Sequence, residues 1–214
     1  MINTLMNKKD AFKTILRDRR IDFVFEDSLV FAVSRYVENE VQAKKQIDKI
    51  RTENPNYSLS YVLLLDKEKK PFTCDGKEPK HTSSKFMLDE MKKSGITNVL
   101  ICVLRKFGEI RLSVVELESV YKNATTKILE TSGTTIKQLS TIISFQLDYT
   151  DAHTLEDIVE GGEVQNIKIL ETDFMEEVYF ELAVANSGYK QTMKELEDKL
   201  GKSIKAKILE TRFE

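Results

Sequence analysis

The sequence contains only two cysteines and two histidines, and no long apolar run. Cys74 lies in a turn-rich segment and Cys102 in a strongly apolar one, environments too different for us to expect a disulfide. None of the four residues has the spacing of a zinc site, so we expect no metal and no cofactor. No apolar stretch approaches the roughly 18 residues that span a bilayer, and the apolar core of a secretory signal is missing at the N-terminus. The sequence therefore predicts a cytoplasmic protein without membrane contact.

Charge is divided unevenly along the chain. Residues 134–214 carry 9 Lys and Arg against 16 Asp and Glu, whereas residues 1–133 carry 24 against 19. The basic first part suits a phosphate-rich partner. Solvated lysines on helix faces explain the same excess, and the sequence alone leaves both interpretations open. Hydrophobic residues at 41% and charged residues at 32% are typical of a globular protein of one or two domains.

Residues 71–121 combine regular elements with two polar loops. Residues 71–82 are rich in turn formers, including Pro71, Gly76 and Pro79, so we expect a loop without a regular element. A helix follows, with Ser83 or Ser84 as its N-terminal cap and Gly95 at its end. Residues 98–104 are continuously apolar after Asn98 and predict a strand buried on both faces. A second loop then leads into an amphipathic helix.

The two loops carry motifs that resemble those of the IMPACT/YigZ family. The first family motif runs Asp-Asp-Gly-Glu-Pro-x-Gly-Thr-Ala-Gly, and this chain matches it at Asp75, Glu78, Pro79 and Thr82. The second runs Arg-Tyr-Phe-Gly-Gly-Ile-x-Leu-Gly-x-Gly-Gly-Leu-x-Arg-Ala-Tyr, and the matches are Arg105, Phe107, Gly108, Ile110, Leu112, Leu117 and Tyr121. Several family glycines are replaced, for example by Glu109, Ser113 and Glu116. Because a glycine-rich loop lets backbone N–H groups approach an anion, these replacements support the family fold more than a family anion site.

The resemblance implies an α+β protein of two domains. The first would be IMPACT-like and similar to domain IV of elongation factor G, and the second a ferredoxin-like domain. The pattern from residue 136 onward, strand, helix, two strands, helix and strand, independently predicts the same βαββαβ order. We therefore predict an N-terminal helical extension over 1–20, the IMPACT/YigZ-like domain over 21–130, a linker over 131–135 and the ferredoxin-like domain over 136–214.

The peptide Lys-Ile-Leu-Glu-Thr occurs three times, at residues 127–131, 168–172 and 207–211. Its first copy falls on a predicted helix and the other two on predicted strands. We therefore interpret the recurrence as chance and not as a structural repeat.

The loops supply the candidate site residues. We expect a cleft formed by Asp75, Glu78, Thr82 and Arg105. Arg105 either contacts a phosphate or an acidic partner or forms an ion pair with Asp75 or Glu78, and the sequence leaves both roles open. The expected phosphate or partner contacts are Lys80, His81, Lys85, Lys106 and Arg111.

Three functions remain open from the sequence. The first, which the resemblance favours, is a translation-linked accessory protein that binds RNA, the ribosome or a translation protein. The second is a small anion-binding or hydrolytic enzyme that uses Asp75, Glu78 and Arg105, since paired carboxylates perform acid–base chemistry when their pKa values differ. The third is a degenerate interaction module with no family site. The sequence shows no phosphate-binding loop and no nucleophile elbow, which disfavours the enzyme.

Overall fold

The computed structural model describes residues 10–65, 70–109 and 111–214. Within them, residues 13–136 form one compact unit and residues 10–12 with 137–214 form a second, called here the N-terminal and C-terminal units. Helices and strands alternate through both, which confirms the predicted α+β class. In chain order the elements are β1 (Ala11–Ile15), β2 (Arg19–Phe25), β3 (Ser28–Tyr36), α1 (Glu40–Glu53), β4 (Ser58–Leu64), β5 (Phe72–Cys74), α2 (Ser83–Ser94), β6 (Val99–Lys106), α3 (Val114–Ser132), β7 (Thr134–Leu147), α4 (Tyr149–Glu160), β8 (Ile167–Phe174), β9 (Val178–Ala185), α5 (Tyr189–Leu200) and β10 (Lys207–Phe213).

The N-terminal unit is built on an antiparallel sheet with the strand order β2-β3-β6-β4-β5. The central strand β6 is buried on both faces, as its apolar run predicted. Val99, Ile101 and Val103 point toward the core under α2 and α3, and the alternate residues point toward the core under α1. A strand between two helix layers has no solvent-facing side, which is why its sequence lacks polar alternation.

Two helix ends in this unit follow local capping rules. The side chain of Asn39 accepts the backbone N–H of Gln42 at the start of α1. Gly95 ends α2 at φ 68°, the left-handed conformation expected there. The predicted serine cap of α2 is wrong, because Ser83 and Ser84 are already helical and their hydroxyl groups donate to another residue.

The C-terminal unit has the predicted ferredoxin-like arrangement. Its strands are antiparallel in the order β10-β7-β9-β8, and α4 and α5 connect them in a βαββαβ sequence. The two helices pack their apolar sides on one face of the sheet, where Leu155 and Leu196 are fully buried beside Phe180.

Three local predictions differ from the structure. Residues 11–15 form strand β1 instead of part of a helix, because β1 pairs with β7 from a remote part of the chain. Residues 1–9 of that predicted helix lie outside the described residues. Residues 72–74 of the predicted loop form the short strand β5, which pairs with β4. The predicted linker contains the last residues of α3, Gly133 and the first residues of β7.

The repeated peptide adopts the predicted mixture of structures. Its first copy lies in α3, and the others lie in the strands β8 and β10. In both strands the pairing register shifts at the leucine, between Ile169 and Glu171 and between Ile208 and Glu210. The surroundings, and not the five residues themselves, decide between helix and strand.

Candidate functional site

A buried ion pair joins the two predicted loops. Arg105, near the end of β6, donates from Nε to Glu78 Oε1 at 2.8 Å and from Nη2 to Glu78 Oε2 at 3.1 Å. Arg105 is 5% exposed and Glu78 is 9% exposed. The remaining guanidinium nitrogen Nη1 donates to Ser28 Oγ at 3.0 Å. The planar guanidinium thus binds its carboxylate at two points, a geometry that lysine cannot reproduce.

Tyr121 completes this ion pair from α3. Its hydroxyl donates to Glu78 Oε1 at 2.8 Å, and the residue is fully buried. Burial, and then the negative charge of Glu78, raise the pKa of Tyr121 far above its ordinary value. The phenol therefore stays protonated and acts as a hydrogen-bond donor to Glu78 and not as a base.

Asp75 caps α2 from the preceding loop. Its Oδ1 accepts the backbone N–H of Ser84 at 2.9 Å, and its Oδ2 accepts the backbone N–H of His81 at 2.8 Å. The hydroxyl groups of Ser84 and Ser83 also donate to Oδ1. Burial by itself raises the pKa of Asp75, but these hydrogen bonds outweigh burial and hold the pKa below its ordinary value. Asp75 is therefore a charged acceptor for the helix N-terminus.

A buried hydroxyl connects the two carboxylate systems. Ser60 Oγ donates to the backbone oxygen of Asp75 at 3.0 Å and lies 2.9 Å from Ser83 Oγ. It also lies 3.5 Å from the hydroxyl of Tyr121. The polar interior of the site is consequently one network of satisfied side chains.

In the second loop, side-chain carboxylates accept hydrogen bonds from backbone N–H groups. Glu116 accepts the N–H of Ser113 at 2.6 Å while Ser113 Oγ accepts the N–H of Glu116, a capping box at the start of α3. Hydrogen bonds from Ser113 lower the pKa of Glu116. Asp27 accepts the N–H of Glu109 at 2.6 Å. Glu109, Ser113 and Glu116 stand where family glycines were expected, so this loop binds internal carboxylates where a glycine loop could receive an external anion.

In the structure, the expected cleft residues form hydrogen bonds with other groups of the protein itself. Glu78, and not Asp75, forms the ion pair with Arg105. Thr82 is buried, and its hydroxyl donates to the backbone oxygen of Pro79. A role of these four residues in binding a ligand stays a prediction.

The five expected contact residues are all exposed. None of their side chains forms an ion pair with another residue of the described ranges. They are Lys80, His81, Lys85, Lys106 and Arg111. Lys106 follows Arg105 directly and Lys80 is two residues from Glu78, so the buried ion pair fixes the backbone from which both lysines extend.

Sequence reasoning missed the hydroxyl partners of the ion pair. Tyr121 matches the second family motif and also falls on the apolar stripe of the predicted helix with Leu117 and Ala124, which by itself assigns no role to the hydroxyl. A hydroxyl on a buried stripe requires a partner, and that requirement was the signal available in the sequence. Ser28 and Ser60 gave no such signal, because short strands often include serine.

Residues 26–129 match the family model of the Impact N-terminal domain. This part of the chain, just under half of its 214 residues, is similar to the Impact N-terminal domain. The Impact match contains every residue of the buried network and all five exposed contact residues. Among the described residues, no three His, Cys, Asp or Glu side chains converge in a way that could hold a metal ion.

Solved structures extend the similarity beyond the Impact domain. The crystal structure of a hypothetical protein aligns with a TM-score of 0.61 and 19% sequence identity, covering 94% of this chain and 98% of that one. At that identity the match establishes the shared fold of both units. A protein from Thermus thermophilus aligns with a TM-score of 0.30 and 9% identity over 96% of this chain and 30% of that one, a similarity too low to indicate a shared fold. No curated protein matches the sequence. No described helix has the length and apolarity needed to cross a bilayer.

Proposed function

We propose that this chain is a translation-linked accessory protein that binds RNA, on the ribosome or free, without using its cleft for catalysis. The observation that carries the proposal is that both loops already bind the protein's own carboxylates. Asp75, Asp27 and Glu116 accept backbone N–H groups of the loops, and Glu78 is neutralised by Arg105. An anionic substrate would have to displace these groups.

The carboxylates are poorly suited to acid–base chemistry. A general acid or base at neutral pH needs a pKa near 7 and a path to the substrate. The pKa of Asp75 is instead lowered, and its oxygens accept hydrogen bonds from α2 and His81. Glu78 is held by Arg105 and Tyr121 on the same oxygen. This geometry favours a structural role for both over the hydrolytic alternative.

The exposed cations support binding to RNA. Phosphate contacts from Lys and Arg dominate nucleic-acid affinity without requiring a preformed pocket. The buried ion pair restricts the side chains of Arg105 and Glu78. The neighbouring side chains of Lys80 and Lys106 extend into solvent from the backbone that this pair holds. Because neither lysine forms an ion pair with a residue that the structure describes, binding a phosphate breaks no ion pair within that part of the chain.

Similarity to the Impact N-terminal domain supports the link to translation. The resemblance to the IMPACT/YigZ family implies an N-terminal domain similar to domain IV of elongation factor G, which points to ribosomal RNA as the source of phosphates. RNA is therefore the partner we propose, and a translation protein is the alternative that the experiment separates from it.

The test is binding of the full chain to purified ribosomes and to protein-free ribosomal RNA. A Lys80→Glu, Lys106→Glu and Arg111→Glu triple variant should lose binding to both. The matched control changes Lys168, Lys190 and Lys194, three exposed lysines of the C-terminal unit, to Glu. Equal losses of binding in the two variants would show that the effect comes from net charge, and would contradict the assignment of this surface as the binding site. Binding to ribosomes that persists while binding to free RNA is absent would point to a protein partner.

A further inference from the structure

A cleft of about 620 Å³ lies in the N-terminal unit, at a place that no sequence motif indicated. It is formed by the start of β2, the end of β3 and the second half of α1. Its walls include four cations and two carboxylates: Arg19, Arg20, Arg35, Lys49, Asp18 and Glu53. When Asp22, which pairs with Arg20, is included, positive charge exceeds negative charge here by one, whereas the whole chain has a net charge of −2. None of these residues belongs to the loops of the Glu78–Arg105 site.

Arg35 is positioned by backbone carbonyls. Its Nη1 donates to the backbone oxygen of Ser34 at 2.8 Å and lies within 3.4 Å of the backbone oxygen of Arg19. The nearest carboxylate oxygen, Asp18 Oδ2, is 3.8 Å from Nε. Carbonyl groups orient the guanidinium without cancelling its charge. Arg35 therefore differs from Arg105, whose charge meets a carboxylate at two direct hydrogen bonds.

Two other cations of the cleft, Arg20 and Lys49, each lie near a carboxylate. Arg20 is fixed by Asp22 and lies over the ring of Phe31, 4.0 Å from its centroid. Lys49 Nζ is 3.9 Å from Glu53 Oε1, and both side chains are more than half exposed. An exposed pair at that distance contributes little, so a ligand that separates it loses little.

We propose that this cleft binds a small phosphate ester that also carries hydroxyl groups, such as a nucleotide. Clefts of this volume accommodate ligands of nucleotide size. Arginine guanidinium groups recognise phosphate by paired hydrogen bonds. The carboxylates of Asp18 and Glu53 can accept hydrogen bonds from sugar hydroxyls, which gives the cleft a reason to contain both signs of charge.

The test is isothermal titration calorimetry of the full chain with ATP, pyrophosphate and adenosine as separate probes. ATP should bind, pyrophosphate should bind more weakly because it lacks a sugar, and adenosine should not bind. Lys49→Glu should weaken ATP binding by about tenfold, since it reverses one charge of a partly solvated cleft. Lys44→Glu is the matched control, because Lys44 is exposed on the same helix and does not line this cleft.

Three results would overturn the proposal. The first is absence of ATP binding, and the second is an equal loss in the Lys44→Glu control. The third is competition by a short RNA whose own binding is lost in Lys49→Glu, which would make the cleft part of an RNA surface. Pyrophosphate binding as tightly as ATP would contradict the role given to the carboxylates. Because Lys49→Glu leaves Lys80, Lys106 and Arg111 intact, failure here leaves the ribosome experiment unaffected.

Discussion

Arg105 and Glu78 form a buried, two-point ion pair that joins the end of β6 to the preceding loop. Tyr121 and Ser28 complete its hydrogen bonds. A buried ion pair is not automatically stabilising, because removing two charges from water is costly. Removing one partner is destabilising, because the other partner is then left charged and unpaired in the interior.

We predict that Arg105→Met destabilises the N-terminal unit by about 3–5 kcal/mol, because Glu78 is left as an unpaired buried charge. The free energy of unfolding, measured by urea denaturation, checks this. Lys106→Met, at the exposed neighbouring position, should change it by less than about 0.5 kcal/mol. Equal effects in the two variants would contradict the structural role of Arg105.

Removing the carboxylate of Asp75 should destabilise α2. Asp75→Ala deletes the acceptor for the backbone N–H groups of His81 and Ser84, and loss of such a cap costs about 1–2 kcal/mol. Asp22→Ala serves as a comparison, since Asp22 is an exposed strand carboxylate paired with Arg20. If urea denaturation gave both variants the same stability as the unchanged protein, the capping role would be wrong.

The carboxyl group of Asp75 should also make the free energy of unfolding depend on pH. Because the pKa of Asp75 is lower in the folded than in the unfolded chain, the folded state binds fewer protons. Its contribution is therefore present above the unfolded pKa of about 3.9 and is lost as the pH falls through the folded pKa. Asp75→Asn should show a shallower loss of stability below about pH 5 than the unchanged protein. Parallel curves of unfolding free energy against pH would exclude this contribution.

Substitution of Gly76 should destabilise the protein more than substitution of Gly95, although both have positive φ. A Cβ at Gly76 would lie 2.6 Å from the backbone oxygen of Leu59, whereas a Cβ at Gly95 would meet nothing within 4 Å. We expect Gly95→Ala to cost about 1 kcal/mol from φ alone and Gly76→Ala roughly 3 kcal/mol from φ and crowding together. Thermal and urea unfolding of the two variants should rank them in that order, and the reverse order would contradict the packing of this loop.

The sequence predicted the parts of the fold that depend on short-range patterns. The apolar run of β6 and the glycine at the end of α2 each have a local physical cause, and each appears in the structure. The helix predicted over residues 1–20 failed in β1 because β7, far along the chain, supplies the pairing. The repeated Lys-Ile-Leu-Glu-Thr peptide illustrates the limit, since the same residues form helix in α3 and strand in β8 and β10.

As one of two roles for Arg105, the sequence predicted an ion pair with a carboxylate of the first loop, but neither which carboxylate nor the hydroxyl partners. Sequence reasoning brought Arg105 next to Asp75 or Glu78 and could not choose, because both carboxylates lie in one short loop. The choice depends on Ser84 and His81, whose backbone donors bind Asp75 and leave Glu78 for Arg105. No sequence pattern combined the walls of the arginine-lined cleft, because they come from β2, β3 and α1.

The most direct measurement of the central claim is the dependence of ribosomal RNA affinity on salt concentration. Each phosphate contact contributes about −0.9 on a duplex and about −0.7 on a single strand to the slope of log affinity against log salt. The Lys80→Glu, Lys106→Glu and Arg111→Glu variant should therefore show a slope shallower by about two to three than the unchanged protein, because three phosphate contacts are lost. Equal slopes for the two proteins would contradict the claim that these exposed cations bind phosphate.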